Sequence, residues 1–235
     1  MALPIQSTPT YRTVLPVSGQ DVEYRPFLVK EQNILVQAKE GADAKQTMQS
    51  VKKLLQAVTN DKVVIEDLPT TDLEWLFIQV RKVSVGDTSK LMFPCVNNQC
   101  PHTKDVTLNL DDIEPVGNLP EDYTVMITDK VGLTLSVPTV EGVEKVSGLT
   151  EESAQTVELI KESIVNIFDE ENVYEGSDLS KTERDEFVDS LTFPQLELLG
   201  NWFDQLPKLT TSLEWDCEEC GTKNEQKLEG IQNFF

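Results

Sequence analysis

Two short segments hold all four cysteines of the chain: Cys95-Val-Asn-Asn-Gln-Cys100 and Cys217-Glu-Glu-Cys220. Each segment is followed by a turn-forming residue, Pro101 or Gly221. Thiols two to four residues apart beside such a turn converge on one point, and two such pairs supply the tetrahedral thiolate set that Zn²⁺ prefers. If the pairs meet, the segment between them is a closed loop. The sequence therefore predicts one structural Zn²⁺ ion held by Cys95, Cys100, Cys217 and Cys220.

The lone histidine of the chain, His102, lies two residues after Cys100. The spacing leaves open whether His102 replaces one cysteine as a ligand or lies beside the site. Any Ser–His or Cys–His catalytic pair would have to use this residue. A filled four-cysteine set has no open coordination position, so such an ion stabilises a fold and does not catalyse. Neither a Gly-rich phosphate loop nor a metalloprotease helix motif occurs, and the sequence therefore predicts a protein that is not an enzyme.

The composition is that of a globular protein, with 39% hydrophobic and 26% charged residues. Forty-one acidic and 20 basic residues give a net charge of −21, which opposes binding to a nucleic-acid backbone. The acidic excess is compatible with plain solubility or with attraction of a basic protein partner. We find neither an 18-residue apolar run nor a signal-peptide pattern, and we expect a reducing compartment, where paired cysteines favour metal over disulfide.

The hydrophobic periodicity predicts an α+β fold with helical N-terminal and C-terminal segments. Each cysteine pair would lie at the tip of an antiparallel β-hairpin, and the four cysteines would join the two hairpins as a zinc-ribbon-like clasp. The expected divisions are a flexible arm at 1–10, an N-terminal hairpin with helices at 11–87, a zinc-knuckle β region at 88–138 and 208–235, and an inserted acidic helical segment at 139–207, within one compact domain.

Individual helices are predicted from apolar stripes and capping residues. One helix runs from Val29 to Gly41, and a second follows Asp43. A capping box at Thr71–Glu74 would open a third, largely buried helix. Within the insertion, the expected elements are a hairpin at 124–137, a helix from a Thr150 cap to Phe168, a polar linker at 169–176, and two helices capped by Ser180 and Thr192. The final Phe234-Phe235 either packs back onto the domain or docks into a partner.

Three stretches resemble the T4-like bacteriophage baseplate hub protein family. They are Leu15-Pro-Val-Ser-Gly-Gln-Asp-Val-Glu-Tyr-Arg-Pro-Phe-Leu-Val-Lys-Glu31, then Leu68-Pro-Thr-Thr-Asp-Leu-Glu-Trp-Leu-Phe-Ile-Gln-Val-Arg81 with Ser84-Val-Gly86, and Leu228-Glu-Gly-Ile-Gln-Asn-Phe-Phe235. The resemblance covers both ends and the overall length, and it is weakest from Val116 to Asp189. It implies a component of a contractile-tail baseplate, or an assembly factor for the central hub, with no enzymatic activity.

This resemblance implies that other tail or baseplate hub proteins, and the tape measure protein, are the partners. We expect neither nucleic acid nor membrane among them. The protein would be present in the host cytoplasm during assembly, and its retention in the virion tail baseplate is left open. The alternative hypothesis is a zinc-ribbon regulatory module that binds nucleic acid or a polymerase, which the cysteine pairs motivate and the net charge opposes.

Overall fold

The computed structural model describes residues 7–33 and 44–230, which fall into two compact units. The first unit comprises the described residues up to Ile65, Thr71–Val116, and the described residues from Lys208 onward. The second unit comprises Glu66–Thr70 and Gly117–Pro207. The inserted segment predicted from the sequence begins at residue 139, whereas the second unit begins at Gly117 and also contains the hairpin at 124–135.

Eleven strands and six α-helices with both ends in the described residues carry the labels used below. The strands are β1 (Tyr11–Val14), β2 (Asp21–Tyr24), β3 (Thr88–Pro94), β4 (Thr103–Asn109), β5 (Glu114–Val116), β6 (Thr124–Met126), β7 (Gly132–Leu135), β8 (Ile164–Phe168), β9 (Val173–Glu175), β10 (Lys208–Asp216) and β11 (Lys223–Glu229). The helices are α1 (Ala44–Val58), α2 (Thr70–Ser84), α3 (Val140–Val146), α4 (Glu152–Ser163), α5 (Lys181–Asp189) and α6 (Phe193–Asp204). Every strand pair within the described residues is antiparallel, which confirms the predicted α+β class.

The N-terminal hairpin β1–β2 is attached to α2 by a buried carboxylate. Asp72 has no exposed surface, and its two oxygens accept hydrogen bonds from the backbone N–H groups of Val17 (2.7 Å) and Ser18 (2.8 Å). The helix expected to begin at the Thr71–Glu74 capping box is present, and it begins one residue earlier, at Thr70. Asp72 satisfies two donors of the loop between β1 and β2.

The predicted helices α1 and α2 are present and bury the expected apolar stripes. On α1 these are Val51, Leu54, Leu55 and Val58, and on α2 they are Leu73, Leu76, Phe77, Ile78 and Val80. Residues 29–33 are helical, and the remainder of the helix predicted to end at Gly41 lies outside the described residues. Phe234 and Phe235 also lie outside them.

A largely buried ion pair follows the N-terminal hairpin. The Arg25 guanidinium donates hydrogen bonds to both carboxylate oxygens of Glu31, at 3.0 and 2.9 Å, and to the carbonyl of Ala57 at 3.1 Å. The backbone N–H of Leu28 also donates to Glu31. This network fixes the chain leaving β2 to the C-terminal end of α1.

The first unit contains a three-stranded sheet in the order β11–β10–β5 and the two-stranded hairpin β3–β4. One hydrophobic cluster combines Leu108 of β4, Leu209 of β10 and Leu228 of β11 with Ile78 of α2 and with Leu110 and Ile113 from the connection between β4 and β5. Strand β5 was not predicted. It contains Pro115, which has no backbone N–H, and it lies at the sheet edge, where a proline is tolerated.

The second unit is built on a four-stranded sheet in the order β6–β7–β8–β9, with a core that includes residues of α4, α5 and α6. The helix expected to run to Phe168 is wrong in its last five residues, because α4 ends at Ser163 and Ile164–Phe168 form β8. Ile164, Val165 and Ile167 are β-branched residues, which favour a strand. Their spacing also fits one face of a helix, and this caused the error.

Smaller features of the second unit differ less from expectation. The N-cap of α4 is Glu151 instead of Thr150, and the segment read as a polar linker contains β9. The capping box that begins α5 at Ser180 is confirmed, as is the start of α6 after Thr192. None of the described helices has the length and apolar character needed to cross a membrane.

Candidate metal centre

The four cysteines lie at the tips of two β-hairpins of the first unit. The β3–β4 hairpin ends in the turn 95–102, closed by a hydrogen bond from the Cys95 N–H to the His102 carbonyl at 2.9 Å. The β10–β11 hairpin ends in the turn 217–222, where the Cys217 N–H donates to Thr222 and the Gly221 N–H donates back to Cys217. Gly221 has φ +69°, a left-handed conformation that glycine adopts without strain.

The hairpins bring all four sulfur atoms together. They lie within 4.8 Å of one another, and the Cys95–Cys220 and Cys100–Cys217 Sγ–Sγ distances are 3.7 and 3.8 Å. Four thiolates placed tetrahedrally about 2.3 Å from Zn²⁺ would lie about 3.8 Å apart. The cysteines are free thiols. The two shorter distances match those expected around one ion, and these four side chains could bind one.

Hydrogen bonds and burial shift the pKa values of Cys220 and Cys100 in opposite directions. The Thr222 hydroxyl and backbone N–H lower the pKa of Cys220 to about 6. The His102 N–H lowers the pKa of Cys100, but burial and the neighbouring thiols outweigh it and raise that pKa to about 12. The neighbouring thiols also help to raise the pKa of Cys95. A bound cation would favour the thiolate forms, because metal binding displaces the thiol protons.

Side chains beside the cluster attach one hairpin to the other. Asn224, which is 2% exposed, accepts a hydrogen bond from the Val96 N–H at 2.8 Å and donates to the Thr222 carbonyl at 2.8 Å. The rings of Phe93 and Trp215 stack with centroids 5.4 Å apart. The sequence signalled the cysteines but gave no signal for Asn224, because a polar residue inside a strand looks like an ordinary exposed position.

His102 lies beside the cluster and is not part of it. Among the described residues, the metal-binding group at this position consists of the four cysteines alone. The Nδ1 atom of His102 lies 3.6 Å from a carboxylate oxygen of Glu219. Lys104 of β4 makes an ion pair with Glu218 at 2.8 Å. Both pairs link the two hairpins at the surface, where such pairs contribute little individually.

The two units differ strongly in charge. The second unit carries 22 acidic and five basic residues, a net charge of −17, within a chain total of −21. The first unit accounts for only −4. The negative field therefore belongs to the unit that does not contain the cysteines, and the cluster and the acidic surface are separate features.

Comparison with known families identifies the chain. A family profile described as T4 bacteriophage base plate protein matches residues 8–235, so the match extends over both units. No curated protein and no solved structure matches the chain. The family is one of phage tail structural proteins located in the virion baseplate. The chain belongs to the T4 bacteriophage base plate protein family.

Proposed function

We propose that this chain is a non-enzymatic baseplate hub protein, or a chaperone-like factor for hub assembly, that acts through contacts with other tail proteins. The observation that carries the proposal is the family match over residues 8–235, which includes both units and not only the cysteine hairpins. A shared zinc motif alone would match only the neighbourhood of the cysteines. The partners are other hub proteins and the tape measure protein.

We further propose that Cys95, Cys100, Cys217 and Cys220 hold one Zn²⁺ ion in a structural role. The sulfur spacing of 3.7 and 3.8 Å supports this, because it matches tetrahedral thiolate coordination. Zn²⁺ bound here would cross-link the β3–β4 and β10–β11 hairpins and would contribute to folding free energy. With four protein ligands the ion has no position for substrate, which agrees with a structural role.

The surface charge favours a protein partner over a nucleic acid. A net charge of −21 repels a phosphate backbone, and most of it lies on the second unit. A field of that sign attracts basic surfaces and accelerates their association. The role proposed is therefore one of protein recognition during assembly, with the cysteine hairpins stabilising the first unit.

Co-expression tests the proposal directly. The tagged chain is produced together with each hub protein and the tape measure protein of the same phage, and the proteins that co-purify are identified. We expect at least one tail protein to be retained in a stoichiometric amount. Retention of none of them, under conditions where the tagged chain is folded, contradicts the proposal.

Mass spectrometry of purified particles separates the two versions of the role. A hub component stays in the finished virion, whereas an assembly factor is present in infected-cell lysate and absent from particles. The same lysate also shows whether the protein accumulates in the host cytoplasm before tails appear.

A further inference from the structure

The second unit contains an apolar cleft of about 270 Å³ beside α5. The residues that line it are Val131, Ile167, Phe168, Tyr174, Leu179 and Phe187 together with two acidic residues, Asp169 and Glu183, whose carboxylates are called its rim below. Sites for drug-sized ligands run from about 300 to 1,000 Å³, so this volume suits one or two protein side chains better than a cofactor. Tyr174 on β9 is 45% exposed, and the cleft is open to solvent at that wall.

The rim of the cleft is negatively charged at neutral pH. Hydrogen bonds from the Glu171 and Asn172 N–H groups lower the pKa of Asp169, and the Ser180 hydroxyl and N–H lower the pKa of Glu183. Within the described part of the chain, no lysine or arginine lines this cleft. The segment 169–189, which supplies most of its wall, contains nine acidic and two basic residues.

A second groove in the same unit lacks this character. It lies between α3, α4 and the start of α5, and its lining includes Lys145 and Lys181 as well as Glu158 and Glu162. Lys145 and Glu162 already form an ion pair at 2.9 Å. Because that groove has both positive and negative side chains, its charge does not favour a partner of either sign. The charged residues of the cleft beside α5 are all acidic, and they favour a basic partner.

The backbone of β9 is not suited to binding a partner by the addition of a β-strand. Strand β9 is only three residues long, and its Glu175 carbonyl already accepts a hydrogen bond from the Asp178 N–H. The remaining free backbone groups are too few to hold an added strand, because strand addition draws its affinity from main-chain hydrogen bonds. Recognition here must depend on side chains.

We propose that this cleft anchors an apolar side chain of another tail protein, presented on a segment in which lysine or arginine flanks that side chain. The apolar walls bury the anchor, and Asp169 and Glu183 receive the flanking cations. The inference rests on the proposed function, since it names the docking site and the chemistry of the partner for that role. Buried anchors within a polar rim are the usual source of affinity at protein interfaces.

Two variants test the site without disturbing the fold. D169N/E183Q removes both rim charges. The asparagine can still accept from the Glu171 and Asn172 N–H groups, and glutamine is an accepted third residue of a capping box. Tyr174→Ala removes the exposed wall. The matched control, E121Q/E197Q, removes two charges from exposed residues of the same unit that do not line the cleft.

The assay uses the full chain and measures its dissociation constant for whichever hub or tape measure protein the co-expression experiment identifies. We expect D169N/E183Q and Tyr174→Ala each to weaken binding at least tenfold, and E121Q/E197Q to change it less than twofold. We also expect D169N/E183Q to lessen the loss of affinity between 50 and 500 mM NaCl.

The outcomes separate this inference from the proposed function. If a tail protein binds and both cleft variants bind it like the wild type, the cleft is not the docking site and the proposed function stands. If E121Q/E197Q weakens binding as much as D169N/E183Q, the general negative field is responsible, and the inference is wrong. If no tail protein binds the wild type, the proposed function fails and the docking site fails with it.

Discussion

Replacing Cys217 with serine should destabilise the first unit strongly. Cys217 is 3% exposed and contributes one of the four clustered sulfur atoms, so serine removes a thiolate ligand without creating a large cavity. If Zn²⁺ links the two hairpins, the pairing of Cys100 with Cys217 closes a loop over 117 positions of the chain. In the chain-entropy treatment, a cross-link closing a loop of that size stabilises the folded state by about 5 kcal/mol.

That free energy converts into a measurable shift of melting temperature. For units of this size, about 5 kcal/mol corresponds to a decrease of about 10 to 20 °C. Scanning calorimetry of the full chain is the assay, because the two units can melt in separate transitions. We expect the transition of the first unit to move in Cys217→Ser. Treatment of the wild type with a zinc chelator should cause a similar shift, and elemental analysis should find about one zinc per wild-type chain.

Val96→Ser is the matched control for this prediction. Val96 lies in the turn between Cys95 and Cys100, is 55% exposed, and supplies no ligand atom. This change should leave the zinc content intact and shift the melting temperature by no more than about 2 °C, the usual range for a surface substitution. The reasoning fails if the wild type contains zinc but melts at the same temperature after chelation, or if Cys217→Ser melts like Val96→Ser.

Four further predictions concern buried polar contacts of the first unit. Arg25→Ala should lower the free energy of unfolding by about 3 to 5 kcal/mol, because it leaves the Glu31 carboxylate buried without its guanidinium partner; urea denaturation at pH 7 measures this. Burial raises the pKa of Glu31, but hydrogen bonds from Arg25 and a backbone N–H lower it by a larger amount. The net effect is a folded-state pKa below the usual value. The resulting stabilisation is present above the unfolded-state pKa of about 4.3 and is lost as the pH falls through the lower folded-state value. Glu31→Gln should lack this part of the pH dependence when the free energy of unfolding is measured from pH 7 to pH 2. A pH profile identical to that of the wild type would contradict the reasoning. Asp72→Ala should lower the free energy of unfolding by about 2 to 5 kcal/mol, because two loop N–H groups lose their acceptor. Asn224→Ala should lower it by about 1 to 3 kcal/mol, because the N–H of Val96 loses its acceptor. Urea denaturation measures both, and a variant as stable as the wild type would show that water replaces the lost partner.

The cysteine cluster was predictable because its signal is local. Two short pairs beside turn-forming residues constrain the backbone so tightly that hairpin tips are the natural place for them, and alternating apolar residues on both sides predicted the strands. The supporting contacts were not predictable. Asp72 and Asn224 bond to backbone groups far away in the chain, and a single sequence does not reveal which distant N–H group a buried polar side chain will meet.

The second unit shows where periodicity fails. Residues Ile164–Phe168 carry apolar side chains at positions that fit both a helix face and a buried strand, and the preceding α4 suggested continuation of the helix. The four-stranded sheet decided the outcome, since β8 pairs with β7 on one side and β9 on the other. Such pairing partners are non-local, and β9 itself is too short to give a pattern. The cleft beside α5 depends on this sheet and was therefore also missed.

Assembly in the absence of the chain tests the central proposal most directly. Host cells are infected with the phage after disruption of the gene for this protein, and tails in the lysate are counted by electron microscopy, with the wild-type chain supplied from a plasmid as the control. We expect complete baseplates to be lost and to return with the plasmid copy, because the hub cannot assemble without its protein contacts. Normal numbers of complete, contractile tails without the chain would contradict a role in hub assembly.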